Sequence, residues 1–120
     1  MSCVLRITCD QLHDRLPPMG MKSFRFDNGT AHFAVSVCEF TDLPGQVRDA
    51  LTFLRMNRSD ILSLMESKGA EGVLDFPIEH DGEGFQFKTL PRPLVREAGA
   101  LGLALEISLY PPAAVGRQVT

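Results

Sequence analysis

The chain has no tryptophan, one tyrosine and only three cysteines in 120 residues. Cys3, Cys9 and Cys38 are odd in number and show no C-x-x-C spacing, so neither a disulfide framework nor a paired-thiol metal site organises the fold. No run of about 18 apolar residues occurs, which excludes a helical membrane span. Arg6 and Asp10 interrupt the one early apolar stretch, so no secretory signal is read. Excess positive charge is missing as well. Twelve Lys and Arg stand against 15 Asp and Glu, a net charge of −3, and the basic residues are scattered. Nucleic-acid binding draws its affinity from clustered cations on phosphates, and no such cluster is visible. These absences together predict a cytoplasmic protein with no membrane or nucleic-acid partner.

Short catalytic and nucleotide motifs are also lacking: there is no G-x-x-x-x-G-K-[ST], H-E-x-x-H or G-x-S-x-G. This lowers the expectation of an enzyme without closing it, and no cofactor is expected. What is present is an apolar fraction of 44%. At this length a chain buries roughly two-thirds of its unfolded surface, so a core can form without a metal or disulfide.

Periodicity then sorts the chain. Residues 3–9 alternate, with Cys3, Leu5, Ile7 and Cys9 on one face, as in a half-buried strand. Asp10 can cap a short helix that Pro17 and Pro18 stop. In FRFDNGTAHFAVSV, Asn28-Gly29 suits the two left-handed positions of a type I′ turn and fixes a hairpin register. Asp27 then faces Thr30, Phe26 faces Ala31, Arg25 faces His32 and Phe24 faces Phe33. The core face collects Phe24, Phe26, Ala31, Phe33, Val35 and Val37; the opposite face holds Arg25, His32, Ala34, Ser36 and Cys38.

A helical stripe of Leu43, Val47, Ala50, Leu51 and Leu54 predicts a helix over 43–56. A second follows over 59–68 after a break at 57–60, with one bent helix as the alternative. Strand 73–80 comes next, and its Pro77 suggests an edge or a bulge. A turn at Asp81-Gly82-Glu83-Gly84 leads to a strand over 85–90 with Phe85 and Phe87 inward. A helix over 91–101 ends at Gly102. The last strand, LALEISLY, sends Leu103, Leu105, Ile107 and Leu109 to the core. The order β-α-β-β-α-β-β-α-β predicts an α+β two-layer sandwich: a mostly antiparallel sheet with helices on one face, ferredoxin-like or elaborated from it. One domain spans 1–112, with 113–120 a frayed tail.

Candidate chemistry is sparse. Cys9 and His13, at C-x-x-x-H spacing with Cys3, could ligate a metal, but Cys3 and Cys9 fall on the buried face where a thiol acts as a small hydrophobe. No metal site is expected. The acidic turn at 81–84 lacks the further oxygen ligands of a calcium loop. What remains is the sheet face opposite the helices, where Arg6, Arg25, His32, Glu106 and Tyr110 form the candidate binding face. The simplest alternative is a solvated antiparallel face with no partner.

The opening VLRITCDQLHDRLPPMG and the closing LVREAGALGLALEISLYP resemble the bacterial domain-of-unknown-function family 4279. The resemblance implies a strand, short helix and loop at the start and an alternating strand ending in Tyr, here Tyr110, with Gly102 as the helix stop and Glu106 in the last strand. The loop order of Pro17-Pro18 and Gly20 is reversed relative to that family, and its central Trp is missing. The resemblance implies no activity and no catalytic residues. The functional expectation is a non-enzymatic protein-interaction domain that binds a protein partner or itself. The alternative is a sensor or enzyme holding a small anionic ligand on the open sheet face.

Overall fold

A computed structural model describes residues 1–80, 82 and 84–111. The elements in chain order are β1 (Val4–Thr8), α1 (Leu12–Arg15), β2 (Arg25–Asp27), β3 (Thr30–Ala34), α2 (Leu43–Met56), α3 (Arg58–Met65), β4 (Glu71–Glu79), α4 (Arg92–Ala100) and β5 (Ala104–Tyr110). They form one five-stranded sheet in the order β2-β3-β1-β4-β5, antiparallel throughout except for the parallel pair β4 and β5. Leu5, Ile7, Phe33, Leu74 and Phe76 project from one face of this sheet into a single core shared with Ala50 and Leu54 of α2, Ile61 and Leu64 of α3 and Leu94 of α4. The result is an α+β sandwich of two layers with the helices on one face. The order β2-β3-β1-β4 is compatible with a ferredoxin-like unit. However, α1 is a single turn and the parallel β4 and β5 pair lies outside such a unit, so that finer detail is not confirmed.

Local chemistry explains most boundaries. Asn28 and Gly29 take φ of 50° and 77°, the left-handed pair a type I′ turn requires. The register that follows is the one the turn dictates, with Asp27 opposite Thr30, Phe26 opposite Ala31 and Arg25 opposite His32. One step further the ladder departs from expectation. The Phe24 N–H donates to the His32 carbonyl at 2.9 Å, and the Phe24 ring lies 6.1 Å from the His32 ring rather than opposite Phe33. Three side chains expected in the core, Phe24, Phe26 and Val37, are exposed, while Ala31 and Phe33 are fully buried. β2 is the outermost strand, so its rings have a neighbouring strand on one flank only, and Val37 lies beyond the end of β3.

Asp42 caps α2, its carboxylate accepting from the Gly45 N–H at 2.9 Å, and Pro44 occupies the first turn where no N–H is needed. The expected break falls at Asn57, whose backbone and side-chain N–H groups both donate to the Phe53 carbonyl. Two helices therefore form, and α3 stops at Met65, short of the expected residue 68. Gly69, with φ of 71°, turns the chain into β4.

β4 is an interior strand, against the suggestion that Pro77 marks an edge. Its pairing with β1 ends at Asp75. The ring nitrogen of Pro77 faces that vacated flank, because the odd-numbered residues of β4 direct their backbone groups away from β5. Two bonds on the same flank report this geometry. The Glu79 N–H donates to the Phe40 carbonyl at 3.2 Å, and the buried Gln46 side chain of α2 donates to the Pro77 carbonyl at 2.9 Å. Gln46 thus satisfies an acceptor that a neighbouring strand would otherwise take.

The segment 85–90 is the clearest departure. It forms no strand, and Phe85 and Phe87, expected inward, are 88% and 77% exposed. Alternation placed both rings on one side, but the segment pairs with no strand among the described residues, and both rings stay exposed. The turn expected at 81–84 rests partly on Asp81 and Glu83, and the expected frayed tail on 113–120; these lie outside the described residues. No helix among the described residues is long and apolar enough to cross a membrane.

Candidate interaction surface

The open face of the sheet is built by the even-numbered residues of β1 and their cross-strand neighbours. Arg6 on β1 lies beside His32 of β3 and Val73 of β4, one pair away from the row in which Asp75 of β4 meets Glu106 of β5. Two carboxylates side by side in one row repel each other. Arg6 reaches diagonally across them, its Nη2 donating to Glu106 Oε1 at 2.7 Å and its Nη1 lying 3.5 Å from Asp75 Oδ2. The Ser108 hydroxyl completes the cluster by donating to Asp75 Oδ1 at 2.8 Å.

A second cluster sits at the β2 end. Arg25 Nε donates to Asp27 Oδ2 at 2.6 Å, and His32 Nε2 lies 3.2 Å from Asp27 Oδ1. The Arg25 hydrogen bond, foremost among the influences on Asp27, holds its carboxyl below the usual carboxylate range, with the His32 contact helping and partial desolvation opposing. Between the clusters Thr8 and Thr30 share a hydroxyl hydrogen bond of 2.7 Å.

The structure therefore places all the expected face residues but divides them. Arg6 and Glu106 meet each other, and Arg25 and His32 meet around Asp27. Tyr110 stands apart at the far end of β5, its ring 4.9 Å from Phe40. Sequence reasoning missed Asp27 and Asp75 as partners of these side chains and Ser108 as the donor to Asp75; the hairpin register would have pointed to Asp27, two residues from Arg25 on the same face. Arg6, Arg25 and His32 of the expected site each already have a carboxylate within the chain.

A further polar cluster lies where the chain leaves β3. The Ser36 hydroxyl donates to Asp49 Oδ2 at 2.7 Å, the Cys38 thiol lies 3.4 Å from the same oxygen, and Arg48 Nη2 lies 3.8 Å from the Cys38 sulfur. The Ser36 bond is the main influence holding the Asp49 carboxyl below its usual range. This cluster ties residues 36–38 to α2. Cys3 lies in the core, and burial, reinforced by Asp75 and Asp49, pushes its thiol far up, so it stays protonated and unreactive.

Two concavities bracket the fold. The larger, about 920 Å³, is a shallow groove carrying Arg15, Arg55 and Arg58 beside Ser59 and Ser63. Arg15 is already bonded to Ser63, and Arg58 to Glu97 at 2.6 Å. The smaller, about 340 Å³, is walled by Ile78, Phe87, Ile107 and Leu109 on the helix side of β4 and β5. Ile107 and Leu109 were expected in the core, yet they are 38% and 64% exposed. Leu103, just before β5, is buried against Gly72 beside Met65, whereas the 85–90 segment leaves Ile107 and Leu109 open.

Phe85, Phe87, Ile107, Leu109 and Tyr110 expose an apolar strip along β5 and the segment before α4, with a smaller one at Phe24 and Phe26 on the β2 edge, whereas the expected polar face is internally satisfied. No protein-family model, curated protein or solved structure matches this chain.

Proposed function

We propose that this chain is a protein-interaction domain that engages a protein partner through the β5 edge and the apolar strip beside it. The observation that carries this reading is an edge strand with no outer partner among the described residues, whose exposed Ile107 and Leu109 lie beside the exposed rings of Phe87 and Phe85. Exposed strand edges recruit further strands through their free backbone groups, and folded proteins ordinarily blunt them with short length, charge or proline. β5 runs seven residues, Ala104–Tyr110, without Lys, Arg or Pro.

The alternative, a small anion held by Arg6, Arg25 and His32, has less support because those side chains are engaged by Asp27, Asp75 and Glu106. A ligand would have to displace carboxylates at close range. Three unpaired cysteines fit a reducing compartment, which supports the cytoplasm as its location. Kinship with family 4279 stays a proposal drawn from the two ends of the chain and adds no activity.

A photo-crosslinking amino acid placed at 109, with a control at Thr8 on the open face, tests the interaction reading in living cells. Protein adducts from position 109 and none from position 8 are the expected result. An absence of adducts at 109, or equal adducts at both positions, overturns it.

A further inference from the structure

The edge of β5 has a definite polarity. The His80 N–H donates to the Tyr110 carbonyl at 2.8 Å, so the backbone groups of the even-numbered residues of β5 face β4. Alternation then directs the N–H and C=O groups of Leu105, Ile107 and Leu109 outward, where no strand pairs with them among the described residues.

We infer that the partner on this edge is a second copy of the chain, its β5 paired antiparallel about a two-fold axis through Ile107. The inference rests on the interaction reading above. Ile107 is the midpoint of Ala104–Tyr110, so this register is the one that sets every residue of the strand opposite another. Ile107 faces Ile107, Leu105 faces Leu109, Glu106 faces Ser108 and Ala104 faces Tyr110. All the outward backbone groups are used, and same-face neighbours match: apolar with apolar on the helix side, carboxylate with hydroxyl on the open side.

Neighbouring registers are worse for stated reasons. Moving the axis to Glu106 opposes two carboxylates directly, which destabilises a strand pair. Moving it to Ser108 brings Pro111, with no N–H, opposite Leu105 in the ladder. The remaining charge on the strand is already neutralised, because Glu106 accepts from Arg6 at 2.7 Å. An isologous contact needs a self-complementary patch, and the alternation of β5 about its midpoint supplies one.

The available area is also in range. A Phe side chain carries on the order of 150–250 Å². With Phe85 and Phe87 largely exposed on each copy, four rings offer on the order of 600 Å² of apolar surface. The strands, Ile107 and Leu109 add to this, toward the roughly 1,200–2,000 Å² of a stable interface.

Sedimentation across a concentration series, combined with site-directed disulfide trapping, tests the pairing. The wild-type chain is expected to sediment as a dimer, and Ile107→Lys to weaken association by roughly 100-fold or more, since it opposes two lysines in an apolar strip. Leu109→Lys serves as a second variant, with circular dichroism confirming that each stays folded. In a Cys38→Ser background, Ile107→Cys is expected to form a disulfide dimer on mild oxidation, since residues in a hydrogen-bonded pair have Cα atoms about 5.5 Å apart. Leu105→Cys is expected not to, because its own copy lies four residues along the partner strand, roughly 13 Å away. A single-chain mass at every concentration overturns the inference. So does a dimer that both lysine variants leave intact, or equal trapping at 105 and 107. A monomeric chain whose position 109 still crosslinks a different protein refutes self-pairing while sparing the interaction reading; no adduct of either kind refutes both.

Discussion

The two edges of the sheet are built from the same kind of alternating sequence and both expose apolar side chains, yet they differ in length, charge and ladder geometry. β2 is three residues long, carries Arg25 and Asp27 locked together, and departs from its ladder at Phe24. Each of these features discourages another strand from adding to it. β5 is more than twice as long, has one carboxylate, and that carboxylate is tied to Arg6 across β4. Its helix-side residues lose their cover toward the C-terminal end. The placement of a few side chains thus leaves one edge open to a further strand and closes the other.

The largest expected effect separates a covered apolar side chain from an uncovered one. Phe33→Ala removes a ring buried at the centre of the core and is expected to cost about 3–5 kcal/mol, read from urea unfolding. Phe87→Ala, at the β5 flank, is expected to leave stability within about 0.5 kcal/mol while weakening association. Equal losses of stability would erase the distinction drawn between the two regions.

Charging each edge in turn sharpens the comparison. Leu109→Lys is expected to weaken self-association by at least about tenfold, or ~1.4 kcal/mol. Phe26→Lys on β2, measured by the same sedimentation series, is expected to change it less than about twofold. A reversal of that order would move the interface to the hairpin edge.

Smaller effects come from the clusters on the open face. Arg6→Ala leaves Asp75 and Glu106 adjacent without their shared cation and is expected to cost about 1 kcal/mol in denaturant unfolding, with part of the loss recovered at high salt. At the β2 end, Asp27 has a folded pKa below its unfolded value, near 3.9 for a free Asp. Its contribution is therefore fully present above that unfolded value and disappears as pH falls through the lowered folded one. The stability difference between the wild type and Asp27→Asn should be constant near neutrality and vanish on acidification below about pH 4. A difference that grew on acidification would contradict the sign of this linkage.

Much of the fold is legible from local signals. Asn28-Gly29 carries its own backbone preference and so fixed the hairpin register as far as Arg25 and His32. Helical spacing located α2, α3 and α4, and the break near Asn57 followed from a gap in the apolar stripe. The binding face was legible only in part. Alternation put Arg6 and Glu106 on one side, but Arg6 meets Glu106 across β4, a hundred residues on, and only sheet order decides that. The pattern in 85–90 was misleading because alternation is a property of the residues, whereas a strand also needs a partner to pair with.

Taken alone, the sequence determined the α+β class, the boundaries of most elements to within a few residues, 85–90 excepted, and the sharing of faces along each strand, because turns, caps and periodicity act over short stretches of chain. Tertiary structure decided the rest. It set β1 at the centre, made β4 interior despite Pro77, paired Arg6 with carboxylates from β4 and β5, and left Ile107, Leu109, Phe85 and Phe87 uncovered. The physical reason is that periodicity states which side chains point the same way. Whether anything packs against them depends on where distant segments come to rest.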